Sequence, residues 1–139
     1  MCGIIGIQNN SEAATLAYMG LYAQQHRGQE GAGVVSSDGT VLHRHMGQGL
    51  VADVFSDSAV FDSLIGDSAI GHVRYSTTGN SDPKNVGPLT FNMGDYSLSI
   101  AHNGNLVNID EIRKELQENG TLFQTSTDTE IIIHLLAQE

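Results

Sequence analysis

Met1-Cys2-Gly3-Ile4-Ile5-Gly6-Ile7 opens the chain and places its only cysteine between the initiator and a short apolar run. Ile4-Ile5-Gly6-Ile7 predicts a buried strand that would hold Cys2 in the fold rather than leave it on a loose terminus. Cysteine is small enough for Met1 to be removed in maturation, and Cys2 would then carry a thiol and a free α-amine on one residue. A model α-amine titrates at roughly 7.7–8, against roughly 10.4 for lysine, so near neutral pH much more of it is a free base. It can take the thiol proton, directly or through one water, and leave a thiolate nucleophile. A lone cysteine near a terminus is more often a small buried hydrophobe. The residues downstream decide between the two.

Working outward, Ser11 is placed to cap a helix of about 11–26, with Glu12 in its first turn and Leu16, Met19, Ala23 and His26 near helical spacing. Gly28, Gly31 and Gly33 end that helix and permit close backbone approach. Val34-Val35-Ser36 and Thr40-Val41-Leu42-His43 flank Ser37-Asp38-Gly39, a strong hairpin signal. Residues 49–67 read as short helical turns with Val60, Phe61, Leu64 and Ile65 on one face, and 69–75 as a second buried strand. Residues 77–87 read as a loop. A further hairpin spans 89–93 and 96–102 across Gly94-Asp95. Asn108 with Glu111 three residues on predicts a capping box opening a helix that stops at Asn119-Gly120. The last helix covers 129–138. Hairpins and helices in this order predict an α+β domain with mainly antiparallel sheet. The last helix is still apolar, with Ile131-Ile132-Ile133 and Leu135-Leu136, so the chain reads as one that continues past Glu139.

The 139 residues are 40% hydrophobic and 16% charged, the balance of one soluble globular domain with a core of Ile, Val, Leu and Ala. Sixteen acidic residues against six basic give a formal charge of −10, which argues against nucleic-acid partners and anionic membranes. One cysteine makes no internal disulfide and fits a reducing cytoplasm. No stretch approaches ~20 apolar residues. The six histidines lack ligand-type spacing and there is one thiol, so no structural zinc site is expected.

Three clusters carry candidate chemistry. In His72-Val73-Arg74-Tyr75-Ser76-Thr77-Thr78-Gly79 an arginine ends an apolar strand, where a guanidinium suits a planar carboxylate; taken alone, an ion pair with one of the acids is the commoner role. In Ala101-His102-Asn103-Gly104-Asn105 an amide and a glycine N–H can be aimed at one point as an oxyanion hole, although Asn-Gly is also an ordinary turn. Thr127-Asp128 opens a helix, where Asp is commonly a cap and can instead pair with a substrate ammonium. Arg74 and Asp128 together would read both charged ends of an amino acid. Gly28-Gln29-Glu30-Gly31-Ala32-Gly33 is not a phosphate loop, because it follows a helix and precedes a strand.

The ordered set Met1-Cys2-Gly3-Ile4, Gln25-His26-Arg27-Gly28-Gln29-Glu30, Gly49-Leu50-Val51-Ala52-Asp53-Val54-Phe55, Gly71-His72-Val73-Arg74-Tyr75, His102-Asn103-Gly104-Asn105-Leu106 and Ser126-Thr127-Asp128-Thr129-Glu130 resembles the glutaminase domain of the amidophosphoribosyltransferases. These are class II, N-terminal-nucleophile glutamine amidotransferases. The glucosamine-phosphate synthases are the nearest alternative within the class. The resemblance covers essentially all of residues 1–139. It departs from the family around Lys84 and Gly87, where an acidic residue and a glutamine are commoner. It implies a four-layer αββα sandwich of the Ntn-hydrolase type, with residues 1–139 the N-terminal part of the glutaminase domain and a phosphoribosyltransferase domain lying outside them. By motif, it makes Cys2 the nucleophile and its α-amine the base. Asn103 and Gly104 would form the oxyanion hole, Arg74 the carboxylate clamp and Asp128 the ammonium partner, with Arg27, Tyr75 and Thr77 shaping the pocket. The implied partners are L-glutamine and, through the second domain, phosphoribosyl diphosphate, in a cytoplasmic homo-oligomer. No cofactor is implied within this chain, and magnesium only in the second domain. The competing readings are an inactive glutamine-binding fragment and a thiol redox sensor.

Overall fold

Strand β4 (Ser68–Arg74) is the axis on which the larger sheet assembles. Along one edge it pairs antiparallel with β1 (Gly3–Ile7), Gly3 opposite Val73 and Ile7 opposite Ala69. Along the other it pairs with β2 (Gly31–Ser37), beyond which lies β3 (Leu42–Gln48), giving the order β1-β4-β2-β3. A second sheet is the hairpin of β5 (Leu89–Met93) and β6 (Tyr96–Ile100). Helix α1 (Ala13–Ala23) packs across β1, β4 and β2. Helices α4 (Ile109–Glu118) and α5 (Asp128–Leu136) pack on each other, and α5 also packs on β5. The result is the expected αββα order. This computed structural model describes residues 1–75 and 82–138, so the predicted pocket residue Thr77 lies outside the described residues.

The core lies between α1 and the larger sheet, where Ala13, Ala17, Leu21, Ala32, Val34, Val51 and Val73 are fully shielded from solvent. The buried face of α1 is Ala13, Ala14, Ala17 and Leu21, while Met19, one of the residues whose spacing predicts the helix, is 59% exposed. Small residues let the helix lie close to the sheet: a Cβ on Gly20 would run into Ile5 Cδ1. A face built of alanine carries little hydrophobic contrast, which is why the larger side chains misdirect a reading by periodicity. Of the four residues expected on one face after β3, Val60, Phe61 and Leu64 pack in or against the core while Ile65 is exposed.

Several local expectations change in the folded chain. β1 is an edge strand rather than a fully buried one: Ile5 and Ile7 pack against the core while Ile4 is exposed. Residues 11–12 form a turn, and Asn10 Oδ1, not Ser11, accepts the Glu12 N–H at 2.8 Å. α1 ends at Ala23 and a 3-10 turn, Gln25–Arg27, follows. β2 already begins at Gly31, so two of the three glycines lie within a strand. Asn108 is at the N-cap of α4 but its side chain caps nothing, so the predicted capping box does not form. The stop at Asn119-Gly120 holds, with Gly120 at φ +91° and the Thr121 N–H returned to Leu116 O at 2.9 Å. α2 (Val51–Val54) and α3 (Ala59–Ser63) are the short turns expected between β3 and β4.

Candidate active site

Pairing of β1 with β4 settles where the terminus goes. Because Gly3 sits opposite Val73, Cys2 is carried alongside the end of β4. There its Sγ accepts from the Tyr75 N–H at 3.5 Å and lies 3.6 Å from the Tyr75 carbonyl, which can accept the thiol proton. Arg27, from the 3-10 turn after α1, donates its Nε–H to the Cys2 carbonyl at 3.0 Å. The nucleophile candidate is therefore held by the Tyr75 backbone on one side and the Arg27 side chain on the other, while the residue is only partly buried.

A cleft of about 580 Å³ opens in front of it, between the end of β4 and the segments after β6 and before α5. Cys2, Arg74, Tyr75, Asn103, Gly104 and Asp128 all line this cleft. Sequence separations of up to 126 residues collapse into one site because the β6 end, the β4 end and the α5 mouth converge. Asn103 and Gly104 are exposed at its rim. Gly104 is spatially constrained, since an added Cβ would fall 3.0 Å from His102 Nε2.

Arg74 meets two partners at once. Its Nη1 donates to the Asn85 carbonyl at 2.9 Å and its Nε lies 3.8 Å from Glu30 Oε2. The ion pair that is the commoner role for such an arginine therefore exists, and the guanidinium still borders the cleft. Asp128 does not cap its own helix. Its Oδ1 lies 3.3 Å from His102 Nδ1 and its Oδ2 accepts the Leu106 N–H at 3.0 Å. Each carboxylate oxygen has a second lone pair, so capacity for a further donor remains.

Sequence reading missed three contributors. Glu130, fully buried, accepts from Gln124 N at 2.8 Å, Thr125 N at 2.7 Å and Thr125 Oγ1 at 2.6 Å, tying down the loop that leads to Asp128. Thr127-x-x-Glu130 has the spacing of a capping box, and that signal was available; the carboxylate reaches past the cap to the preceding turn. Asn85, also buried, gives no such signal, being one Asn in a polar stretch. His72 is buried on β4 with neither ring nitrogen in hydrogen-bond geometry. Burial, then Arg74 and then His102 push its pKa down to about 4, although the carbonyls of His102 and Gly87 pull the other way. Among the described residues no group of three or more His, Cys, Asp or Glu could hold a metal ion. His43 and His45 share β3 but are engaged separately, with Asp38 at 3.2 Å and with the Val54 carbonyl at 2.8 Å. No helix among the described residues is long and apolar enough to cross a membrane.

Residues 56–139 match the family model described as a glutamine amidotransferase domain. Over 137 residues the chain is 54% identical to amidophosphoribosyltransferase 2, chloroplastic, of Arabidopsis thaliana, covering 98% of this chain and 24% of that protein. It is 43% identical over 138 residues to the amidophosphoribosyltransferase of Lacticaseibacillus casei, covering 99% of this chain and 71% of that one. The solved structure described as the allosteric regulatory enzyme of purine biosynthesis superposes on all of this chain with a TM-score of 0.93 at 45% identity, over 30% of its own length. The chain thus spans about a quarter of the Arabidopsis relative. Matched across its length in both sequence and fold, this chain belongs to the glutamine amidotransferase family, in its amidophosphoribosyltransferase branch.

Proposed function

We propose that this chain hydrolyses the side-chain amide of L-glutamine, with Cys2 as nucleophile after removal of Met1. The observation that carries the reading is one cleft bordered by a thiol, a guanidinium, a carboxylate and an Asn-Gly pair. Amide hydrolysis needs a nucleophile, a base and an oxyanion site, and choosing glutamine needs one cation and one anion at fixed separation.

The steps follow from those groups. Arg74 receives the α-carboxylate of glutamine and Asp128 its α-ammonium, directing the amide toward Cys2. The freed α-amine of Cys2 takes the thiol proton, and the thiolate attacks the amide carbon. The oxyanion is met by the Asn103 side-chain amide and the Gly104 N–H, each such donor being worth about 2.7–4 kcal/mol in acyl transfer. The protonated α-amine returns its proton to the leaving nitrogen, the carbon–nitrogen bond breaks, and ammonia departs. Water, deprotonated by the same amine, then cleaves the γ-glutamyl thioester to glutamate and free thiol. Arg27 and the Tyr75 backbone hold the nucleophile while Tyr75 borders the pocket; Thr77 is assigned to the pocket by resemblance alone.

In this proposal residues 1–139 are the N-terminal part of the glutaminase domain. The ammonia is consumed by a phosphoribosyltransferase domain outside them, forming 5-phosphoribosylamine from phosphoribosyl diphosphate in the first step of purine biosynthesis. Magnesium belongs with that diphosphate, and no cofactor is assigned to this chain. A free nucleophilic thiol suits a reducing, cytoplasmic setting, and homo-oligomerisation belongs to the full-length enzyme.

The decisive experiment combines intact mass with glutamate assay. The expected results are loss of Met1, a single adduct on Cys2 from a glutamine-shaped electrophile, and glutamate release that Cys2→Ala lowers at least about 10³-fold. Retention of Met1, or turnover that survives Cys2→Ala, would overturn the mechanism.

A further inference from the structure

Asn85 hydrogen-bonds both sides of the cleft. It lies in the 3-10 turn Pro83–Asn85 between β4 and β5, 4% exposed. Its carbonyl accepts from Arg74 Nη1 at 2.9 Å. Its side-chain amide engages one residue twice: Nδ2 donates to Ser126 Oγ at 2.9 Å, and Oδ1 accepts the Ser126 N–H at 3.2 Å. The backbone N–H of Ser126 can only donate, which fixes the orientation of the amide. Ser126 stands two residues before Asp128, and the intervening Thr127 is the N-cap of α5.

We propose that Asn85 is a positioning residue for substrate recognition, setting the separation between the Arg74 guanidinium and the Asp128 carboxylate. The inference rests on the glutaminase reading of the cleft and adds a residue to it. An α-amino acid carries its ammonium and carboxylate on one carbon, so their separation is fixed and the protein's two poles have to match it. Two hydrogen bonds to a single loop residue resist both sliding and rotation, and the third anchors the same residue to the arginine. Because Arg74 is held through the Asn85 carbonyl, changing the side chain leaves that bond in place and cuts only the connection to the loop. Interactions with the two α-charges are made equally in ground and transition states, so their loss raises KM and spares kcat.

The test uses Asn85→Ala, Ser126→Ala and the double variant, measured for glutamine turnover and for alkylation of Cys2 by iodoacetamide, which has neither α-charge. Asn85→Ala should raise the KM for glutamine about tenfold with kcat changed less than about twofold, the size expected for one to two hydrogen bonds. Ser126→Ala keeps the backbone bond to Oδ1 and should raise KM about threefold, and the double variant should be no worse than Asn85→Ala, since both act through one link. The iodoacetamide rate should not move. The preference for glutamine over the same amide lacking its α-ammonium should shrink by the same factor as KM rises. An unchanged KM, additive effects, or parallel loss of iodoacetamide reactivity would overturn the role. Ser126 is exposed, so Ser126→Ala decides alone if Asn85→Ala does not fold: its unchanged KM sinks the proposal. A parent protein that neither releases glutamate nor is protected from iodoacetamide by glutamine removes the glutaminase reading, and this inference with it. Normal parent activity with unaffected variants removes Asn85 only.

Discussion

His72 and Arg74 leave β4 on the same face, two residues apart, and the fold treats them differently. Arg74 keeps partners for its charge, Asn85 and Glu30. His72 is shut away beside that cation, and its pKa falls from 6.5 to about 4, chiefly through burial and then through Arg74. Between those two values the unfolded chain binds a proton that the folded chain refuses. Stability therefore falls as pH drops through this window and levels off below about 4. The full window amounts to on the order of 3 kcal/mol. Denaturant unfolding of the parent and of His72→Gln at pH 7.5 and 4.5 should show a steeper loss in the parent by on the order of 2 kcal/mol; equal slopes would mean that His72 is not the group responsible.

Elements meet at glycines more closely than any other residue would allow. Gly28, after the 3-10 turn, lies so near β4 that an added Cβ would fall 2.6 Å from both the carbonyl carbon and oxygen of Arg74. Those are backbone atoms, so the strand end itself would have to move. Gly28→Ala is expected to cost about 1–3 kcal/mol, as overpacking does, and to raise the KM for glutamine because Arg74 shifts with its strand. Thermal unfolding and KM measured together check this; a variant with parent KM would show that the strand end moves independently of the clamp. Similar closeness sets α1 on the sheet through Ala13, Ala17 and Gly20. A helix that packs by small residues is held by proximity to its neighbours, and its register depends on space rather than on bulk.

Across the whole molecule the site belongs to no single layer. The larger sheet presents Cys2 and Arg74, the end of β6 leads to Asn103 and Gly104, and α5 presents Asp128. Glutamine should therefore tie the layers together and raise the unfolding temperature. In Cys2→Ala, which cannot turn it over, glutamine at a hundred times its Kd adds about 2.7 kcal/mol, or roughly 8 °C. The same shift from an amide lacking the α-ammonium would remove Asp128 from recognition. Much of this was legible in the residues. The Asp-Gly and Gly-Asp turns marked both hairpins, because a chain reversal with positive φ is a local demand that glycine meets at the least steric cost, and Gly39 and Gly94 carry it. The ordered motifs marked Cys2, Arg74, Asn103, Gly104 and Asp128 as candidates through their resemblance to the family, since Arg74, the Asn-Gly pair and Asp128 each had a commoner structural role when taken alone. The inward face of α1 and the parts played by Asn85 and His72 were not legible, since each depends on which partner lies across the fold, 41 residues away for Asn85 and Ser126. The spacing of Glu130 was visible, but not that its carboxylate would reach Gln124 and Thr125 instead of the cap, nor that Ser11 and Asn108 would leave their caps unused. Sequence alone determined the inventory of chemistry and the turns between elements, since those follow from covalent structure and local backbone sterics. Only the tertiary structure decided which polar groups are buried together, because desolvation and close approach are set by neighbours that the order of residues does not name.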